Sequence, residues 1–233
     1  MSDPAPVAAH PAIVDALHSI PAHLLARSGS VFYSGQAAFS TSNKLYVLGL
    51  NPGGDPVTQA TETIAAHRQK FVDGPVWWSE YSDERWAGAK PGAWGMQPRV
   101  LHMFASLGLD PRSVPASNVV FARTSTEAML KNEKPDLLRA CWPVHRVVIE
   151  ALAVRVVVCF GGTAGRWVRD ELGAHERVDG YRETNERRWM SEAHRARDSR
   201  AVVTLTHPGR ANWCNAHSDP TPLVQRMLAQ VTS

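Results

Sequence analysis

The residues of most chemical interest form a short turn, Gly49-Leu50-Asn51-Pro52-Gly53-Gly54, directly after an apolar run. Its glycines let the backbone approach a ligand closely, and Pro52 stiffens the turn. Asn51 would bring an amide to such a ligand, although the same amide could simply cap the turn. A phosphate loop is another possibility, but the turn matches neither GxxxxGK[ST] nor GxGxxG. The turn is therefore a candidate ligand site whose chemistry depends on its neighbours.

Three more polar segments each follow an apolar run in the same way. They are Arg123-Thr124-Ser125, Gly161-Gly162-Thr163 and His207-Pro208-Gly209-Arg210. In a parallel α/β sheet, ligands bind in the crevice beyond the carboxyl ends of the strands. We therefore expect all four segments to converge on one crevice. His207 would bring an imidazole to it, whereas taken alone it could equally be a core histidine.

The apolar runs themselves predict the fold. Four of them are rich in Val and Leu without polar alternation, which is typical of buried parallel strands. They are Lys44–Leu50, Ser117–Ala122, Arg155–Gly161 and Ala201–Thr206. Segments with helical spacing lie between these runs, so strands and helices alternate. We predict an α/β fold, a three-layer α/β/α sandwich around a central, mostly parallel, four-stranded sheet.

Apolar residues at helical spacing predict the helices of the outer layers. These cover Ile13–Arg27, Thr58–Phe71, Pro98–Leu107, Leu138–Leu152, Thr163–Leu172 and Val224–Val231. Residues 55–95, called the aromatic segment below, carry four tryptophans and are long for one connection. Loops of that length are usually functional or disordered, and this one is too aromatic for disorder. We expect residues 1–10 to be a loose terminus and residues 11–233 to form a single domain.

Composition excludes several classes of protein. Hydrophobic residues make up 44% and charged residues 20% of the chain, as in soluble globular proteins. Cys141, Cys159 and Cys214 lie far apart without a CxxC pair, which argues against a disulfide framework and against a metal centre. Cys141 and Cys159 fall within apolar patterns and are expected to be buried, inert thiols. No long apolar run follows a basic start, so we expect neither a signal peptide nor a membrane span, and cytoplasmic residence by default.

The charge is unevenly distributed although the net charge is only +3. Between Arg182 and Arg200 six arginines accompany four acidic residues, with Trp189 and His194 among them. This segment could be a solvated helical or hairpin face. It becomes a phosphate-contacting patch only if the rest of the chain implies a nucleic-acid partner.

Three motifs, in order, resemble those of the uracil-DNA glycosylase superfamily. GLNPGG after the first strand resembles the first motif, Gly-x-Asn-Pro-Gly in the mismatch-specific and single-strand-selective branches. HPG after the fourth strand resembles the second motif, normally His-Pro-Ser. GLDPRSVPASNVVFAR, followed by a helix and VVVCFGGTA, is similar to the thermophilic iron–sulfur branch, in which an Asn begins an NVV strand. The resemblance covers roughly Lys44 to Arg210.

The resemblance implies a DNA glycosylase, which hydrolyses the bond between a flipped-out base and its sugar. Breaking that bond develops positive charge on the sugar and negative charge on the departing base. At the family's catalytic positions Asn51 would place the attacking water, and His207 would donate to the base oxygen. One preorganised donor of this kind is typically worth ~10²–10³ in rate.

The resemblance also assigns a base pocket. Asn118 matches the family's base-reading Asn, whose amide can pair with a uracil edge in both directions, although it could be a strand-entry turn residue. Trp94, before Gly95, resembles the Phe-Gly that stacks on the base in the single-strand-selective branch, and Trp77 or Trp78 could serve instead. The other base-binding candidates belong to the first motif: Gly49, Leu50, Pro52 and Gly53.

The partner implied by the resemblance is DNA. Arg210 and Gly209 lie where the family pushes a loop into the minor groove, although Arg210 could be a surface arginine with no role. Arg123 and Gly162 are further candidates for DNA contact, and Arg123 could equally be a solvated strand-end residue. We expect a monomer that needs no cofactor or metal and does not bind membranes.

Departures from the family pattern concern the substrate more than the reaction. Only Cys141 falls near a cluster-ligand position, so no iron–sulfur cluster is expected. Gly209 replaces the usual Ser and removes a hydroxyl that can contact phosphate, and the aromatic segment is longer than the family's connection. These changes could admit a base bulkier than uracil. The expected substrate is uracil or another deaminated or modified base in DNA, in base excision repair or in defence against phages with modified genomes.

Two other functions remain compatible with the sequence. A binding module would keep the fold and hold damaged DNA without cutting it, although the retention of Asn51 and His207 argues against this. An unrelated α/β nucleotide-binding enzyme would use its glycine pairs, Gly53-Gly54 and Gly161-Gly162, as anion-binding turns. Such an enzyme would prefer free nucleotide to DNA.

Overall fold

The computed structural model describes residues 7–231 and is built on one six-stranded sheet. Its strands are β1 Leu45–Gly49, β2 Ala116–Asn118, β3 Val156–Phe160, β4 Glu176–Arg182, β5 Met190–Arg195 and β6 Ala201–Leu205. Their order across the sheet is β2-β1-β3-β6-β5-β4. The neighbours among β2, β1, β3 and β6 run parallel, whereas β5 is antiparallel to both β6 and β4. The α/β class is therefore confirmed, but the prediction of four strands is wrong.

Helices cover both faces of the sheet. They are α1 Pro11–His18, α2 Ala22–Leu25, α3 Ile64–Asp73, α4 Gln97–Ser106, α5 Lys134–Ala151, α6 Gly162–Leu172 and α7 Thr221–Gln230, with 3-10 turns at Gln36–Phe39, Pro111–Ser113 and Glu127–Leu130. The single helix predicted over Ile13–Arg27 is two helices, α1 and α2. Pro21 separates them, because proline disfavours helical backbone at the residue before it.

Alternate residues of the central strands face two separate cores. Tyr46 and Leu48 of β1 pack in one core with apolar side chains of α1, α5 and α6. Leu45 and Val47 pack in the other with those of α4 and α7. Burial of both faces explains why these strands carry no polar alternation. Both faces are thus covered, and the carboxyl ends of the strands are left to form a site.

The two additional strands come from the arginine-rich segment and its neighbours. Residues 176–195 form an antiparallel hairpin, β4 and β5, so the hairpin interpretation of the patch is confirmed for this part. Ala193 and His194 of β5 are buried beside β6, whereas β4 lies at the sheet edge and is half-exposed. The exposed and polar character of β4 explains why it was not predicted from an apolar run.

The second predicted strand is shorter than expected and ends at Asn118. Val119 donates its backbone N–H to Gly49 O (2.9 Å), and Val120 donates to Leu50 O (2.9 Å). The buried run after Asn118 therefore follows the first-motif turn instead of continuing the ladder with β1. The expectation that Asn118 begins a strand is wrong: it is the last residue of β2, at the carboxyl edge.

The outer edge of β2 is covered by two further extended segments. Tyr33 donates its backbone N–H to Ala116 O (2.7 Å), and Glu80 in turn donates to Tyr33 O (2.8 Å). Isolated bridges join Phe32 to Ser117 and Ser34 to Ser79. We call residues 31–35 and 76–80 the edge segments. They bring part of the aromatic segment into line with the sheet.

Residues 1–6 of the predicted loose terminus lie outside the described residues. Beyond them, Ala9 is buried and the His10 N–H bonds to Phe39 O (2.7 Å), so this end is fixed to the core. Cys141 and Cys159 are buried as predicted, and burial raises the pKa of the Cys141 thiol to about 11. Within residues 7–231, no helix has the length and apolarity needed to cross a membrane.

Candidate active site

A large cavity opens at the carboxyl ends of the parallel strands. Its volume is about 1410 Å³, and all four predicted strand-end segments contribute to its lining. The aromatic segment and the β4–β5 hairpin complete the wall with Glu80, Trp86, Trp94 and Trp189. The convergence expected from strand order is thus observed, and the cavity exceeds the usual size of a small-molecule pocket.

Asn51 is held by both hydrogens of its amide. Its Nδ2 donates to Pro52 O (2.9 Å) and to Thr124 Oγ1 (2.9 Å), and Thr124 Oγ1 donates to Thr126 O (3.0 Å). Because a carbonyl oxygen can only accept, these bonds fix which end of the amide is nitrogen. Oδ1 remains as a hydrogen-bond acceptor on a side chain that lines the cavity.

Asn118 lies beside the first motif because β1 and β2 pair Gly49 with Asn118. Its Oδ1 would be only 2.2 Å from a Cβ added at Gly49, so glycine is needed there for the amide to keep its place. The residue is 95% buried, yet its Nδ2 makes no well-formed hydrogen bond within residues 7–231, although it lies close enough to the Tyr33 hydroxyl to lower the pKa of that hydroxyl. A buried donor without a well-formed hydrogen bond is costly, so this amide is prepared for an acceptor from outside the chain.

His207 presents a defined tautomer to the cavity. Its Nδ1 accepts a hydrogen bond from the backbone N–H of Gly209 (3.0 Å), so the proton of the neutral ring is on Nε2. Burial, together with the positive charge of Arg210, lowers the pKa of His207, while Glu127 opposes this. The ring is therefore neutral at neutral pH, with one N–H to donate.

Gly209 and Gly161 both lie against the His207 ring. A Cβ at Gly209 would be 2.9 Å from Nδ1, which is closer than such contacts allow. Gly161 adopts φ +95°, a conformation that favours glycine, and caps helix α6 beside the same ring. Gly162, the first residue of that helix, is exposed and lines the cavity.

Arg123 occupies a different place from the one predicted for DNA contact. Its guanidinium donates to Ser28 Oγ (3.1 Å), Gly53 O (2.6 Å) and Glu62 Oε2 (2.8 Å), and its side chain is only 9% exposed. Through Arg123, the first-motif turn at Gly53 O is thus joined to Ser28 and to Glu62 of the aromatic segment. This geometry favours a positioning role for Arg123 over contact with phosphate.

Replacing Arg123 with alanine should therefore destabilise the fold. We expect the free energy of unfolding in urea to fall by about 2–3 kcal/mol, because the Gly53 carbonyl and the Glu62 carboxylate lose a charged donor. Arg139→Ala is the matched control, since Arg139 pairs with Asp136 in solvent and should cost less than about 0.5 kcal/mol. Equal losses in the two variants would contradict the positioning role.

The tryptophans of the aromatic segment differ in their availability for stacking. Trp94 is 52% exposed and lines the cavity, as the stacking prediction requires. Trp86 also lines it, and its Nε1 donates to Glu80 Oε1 (2.7 Å). Trp77 is 57% exposed, and Trp78 packs under the Lys70 ammonium, 4.4 Å from the ring centre; neither lines the cavity. Trp94 and Trp86 are therefore the two candidates.

A buried glutamine holds the aromatic segment in shape. Gln97 Nε2 donates to Glu80 O (3.0 Å) and Glu84 O (2.9 Å), and its Oε1 accepts from the Trp94 N–H (3.2 Å). These three bonds connect the backbone at Glu80 and Glu84 to the backbone at Trp94, so Gln97 joins the two ends of the intervening loop. Trp94 is thereby placed by the first turn of α4.

Arg210 is exposed at the mouth of the cavity, next to the tip of the β4–β5 hairpin. Arg187 of that tip donates from Nη1 to Arg210 O (2.8 Å), and its guanidinium lies 4.4 Å from the centre of the Trp189 ring. Trp189 is 39% exposed and lines the cavity. Arg210, Arg187, Arg188 and Trp189 are called the basic rim below.

Glu80, Tyr33 and Trp189 are among the cavity side chains that could not be identified from the sequence. Glu80 and Tyr33 reach the cavity through the edge segments, and no spacing or motif indicates this, because their position depends on distant backbone pairing. Trp189 was noted only as part of a charged segment. A tryptophan that directly follows two arginines within a possible β-hairpin could have indicated a nucleic-acid contact.

The remaining predicted residues also lie in the site region. Gly49, Leu50 and Gly53 line the cavity, whereas Pro52 is buried behind the turn and accepts a bond from Asn51. Within residues 7–231, no group of three His, Cys, Asp or Glu side chains is arranged to hold a metal ion.

Comparison with known proteins gives one family. A model of the Uracil DNA glycosylase superfamily matches residues 37–229, a span that contains strands β1 to β6 and all the predicted site residues. No curated protein matches the chain.

Proposed function

Because this chain belongs to the uracil-DNA glycosylase superfamily, whose members are DNA glycosylases, we propose that it hydrolyses the N-glycosidic bond of a flipped deaminated or modified base in DNA. One observation carries the proposal: Asn51, His207 and the buried amide of Asn118 open into the same cavity. A water-positioning group, a donor to the departing base and a base-reading group are thereby available together.

Asn51 would position the water that attacks the sugar. Its Nδ2 hydrogens are already used by Pro52 O and Thr124 Oγ1, so only Oδ1 can contact a water in the cavity. An amide oxygen is a weak base, and it orients the water more than it deprotonates it. This role suits a reaction in which the bond to the base breaks early and the sugar becomes an electrophile.

His207 would stabilise the departing base. Its Nε2–H donates to the base oxygen that gains negative charge, and the Gly209 N–H keeps the proton on Nε2. A neutral donor fixed before the reaction needs no reorganisation when the charge appears, which is the basis of electrostatic catalysis. Because this bond comes from the Gly209 backbone, the position of the proton on His207 depends on the conformation of the second motif.

The flipped base would lie between Asn118 and an indole. The Asn118 amide offers a donor and an acceptor to a Watson–Crick edge, and Trp94 or Trp86 offers a ring for stacking. The cavity volume of about 1410 Å³ is compatible with a base larger than uracil. Uracil and bulkier modified bases are therefore both included in the proposed substrate class.

The basic rim would hold the DNA backbone around the flipped nucleotide. Its arginines can neutralise phosphates, and the exposed face of Trp189 can stack on a base or fill the gap left by the flipped one. The buried carboxylate of Glu183 supports the hairpin tip by accepting from Asn185 Nδ2 (2.8 Å) and pairing with Arg187 Nη2 (3.1 Å). The tip is therefore a preformed surface.

Arg210→Ala should weaken DNA binding without changing which base is recognised. We expect the slope of log K against log[salt] to fall by about 1, because one phosphate contact is lost. The measurement is fluorescence anisotropy with duplexes that do or do not contain the target base. Arg146→Ala, an exposed arginine of α5 outside the cavity, should leave the slope unchanged. Identical slopes for wild type and Arg210→Ala would exclude the contact.

The proposed activity is tested with labelled oligonucleotides carrying uracil, hypoxanthine, xanthine, or hydroxymethylated or glucosylated cytosine. Wild-type protein, with chelator present, should leave alkali-labile abasic sites at one or more of these bases. The double variant Asn51→Ala/His207→Ala should leave none. Tight binding of abasic DNA without cleavage of any base would instead identify a binding module. A preference for free nucleotide over DNA would identify a nucleotide-binding enzyme.

A further inference from the structure

Glu80 is placed beside the base-reading residue by backbone pairing. The edge segments continue the sheet outward from β2, with Tyr33 bonded to Ala116 and Glu80 bonded to Tyr33. Neighbouring strands are about 4.8 Å apart, so the Glu80 backbone is about 10 Å from β2, with Tyr33 between them. Asn118, Tyr33 and Glu80 all line the cavity. They form a row across one wall.

The carboxyl group of Glu80 is fixed at one oxygen and free at the other. Oε1 accepts from Trp86 Nε1 (2.7 Å), and the Glu80 backbone carbonyl is held by Gln97 Nε2 (3.0 Å). Oε2 has no hydrogen-bond partner within residues 7–231. The row therefore contains two polar atoms without a well-formed hydrogen bond within residues 7–231: Glu80 Oε2, since only Oε1 is bonded, and Asn118 Nδ2, which interacts with the Tyr33 hydroxyl only weakly.

We propose that Glu80, as a neutral carboxylic acid, donates a hydrogen bond from Oε2 to a keto oxygen of the flipped base and so determines base specificity together with Asn118. The inference rests on the proposed function and adds a residue outside the matched motifs. Deamination replaces an amino group of a base with a keto oxygen. A donor at this position therefore favours deaminated bases. The amino group of an unmodified base is itself a donor and cannot accept a hydrogen bond from Glu80.

The surroundings of Glu80 favour the neutral acid. Burial raises its pKa to about 7; Glu84 acts in the same direction, while the Trp86 indole, Lys70 and Arg123 oppose the shift. The facing hydroxyls of Tyr33 and Tyr81 stay neutral because burial raises their pKa values, and burial lowers the pKa of His67 to about 3. Glu80 thus changes charge near neutral pH.

Binding of the keto oxygen by Glu80 should weaken as the pH rises. Below a pH of about 7 Glu80 carries its proton and can donate to the keto oxygen. As the pH rises through that value the carboxylate forms and repels the oxygen. The lowered pKa of His207 places its own titration on the acid side, so the two groups affect different limbs of a pH profile.

The experiment measures binding without cleavage. Duplexes containing 2′-fluoro-2′-deoxyuridine, which resists glycosidic hydrolysis, and matched duplexes with 2′-fluoro-2′-deoxycytidine, in which an amino group replaces the keto oxygen, are titrated at about pH 6 and about pH 8. For wild type, we expect the affinity ratio between the two duplexes to fall about tenfold at the higher pH, as for one lost hydrogen bond and a new repulsion. Glu80→Gln, which keeps a neutral donor, should hold the ratio constant, and Glu80→Ala should reduce it at both pH values.

Glu84→Gln is the matched control from the same segment. The Glu84 carboxylate is already bound by Lys70 Nζ (2.7 Å) and Trp78 Nε1 (3.1 Å), so its loss should leave the pH dependence in place. The midpoint should move to lower pH, because one negative charge near Glu80 is removed.

A wild-type ratio that does not change with pH, or a Glu80→Gln variant that keeps the wild-type dependence, would overturn the inference. Either result combined with cleavage of uracil-containing DNA would leave the proposed function intact. A pH-dependent ratio without cleavage would support the Glu80 contact in a protein that binds and does not cut.

Discussion

His207→Ala is expected to lower kcat for base excision by about 10²–10³-fold while leaving the fold intact. The variant loses the Nε2–H donor at the base oxygen, whereas the His207 ring is only half-buried and contributes little to the core. Single-turnover kinetics on the best substrate of the base panel measures the chemical step directly. His207→Gln should recover part of the loss, because its amide can also donate.

The His207 prediction has a pH component as well. When the ring is protonated, Nδ1 also carries a proton and faces the Gly209 N–H, so the bond that fixes the second motif is lost. Activity should therefore fall as the pH drops through the lowered pKa of His207. His23→Ala, at an exposed position in α2, is the control for loss of a histidine. A His207→Ala rate within about threefold of wild type would place the donor elsewhere.

Gly49→Ala is the second large effect that we expect. The added methyl would be 2.2 Å from Asn118 Oδ1, and the end of the Asn118 side chain is the part that can move. The protein should fold, but the amide would be displaced from its reading position. Misplacement by about 1 Å typically costs ~10²-fold, and we expect kcat/KM to fall by about that factor.

A double-mutant cycle separates this effect from simple loss of stability. In an Asn118→Ala background the added methyl has space, so Gly49→Ala should cost much less than it does alone. Additive effects of the two substitutions would show that Gly49 acts through something other than Asn118. Thermal melts of all four proteins check that folding is comparable.

The parallel part of the sheet was predictable because each strand is buried on both faces. Leu45–Gly49, Val156–Phe160 and Ala201–Leu205 are within two residues of their predicted bounds. Strand order and the position of ligands in such folds then predicted that Asn51 and His207 meet at one edge, whereas Asn118 was expected near the start of its strand and reaches this edge because the strand ends there. These inferences depend on local patterns and on a general property of parallel sheets.

The remaining features of the site could not be predicted, because they depend on contacts between distant parts of the chain. Nothing local distinguishes Trp94, which lines the cavity, from Trp77, which does not, because Gln97 and the edge segments decide their positions. Arg123 follows a strand and resembles a DNA-contacting arginine in sequence, but other parts of the chain surround it in space. Glu80 could not be singled out, since the rest of its row, Tyr33 and Asn118, lies far from it in sequence.

The edge segments also bear on how readily further strands can be added to the sheet. An uncovered strand offers unpaired backbone groups to other chains and is a template for aggregation. Here residues 31–35 cover β2, and the outermost edge segment is short and follows Pro75, which cannot donate to a neighbouring strand. At the opposite edge, β4 carries Arg177 and Arg182 and is half-exposed. Both edges of the sheet therefore carry features that discourage the addition of a strand from another chain.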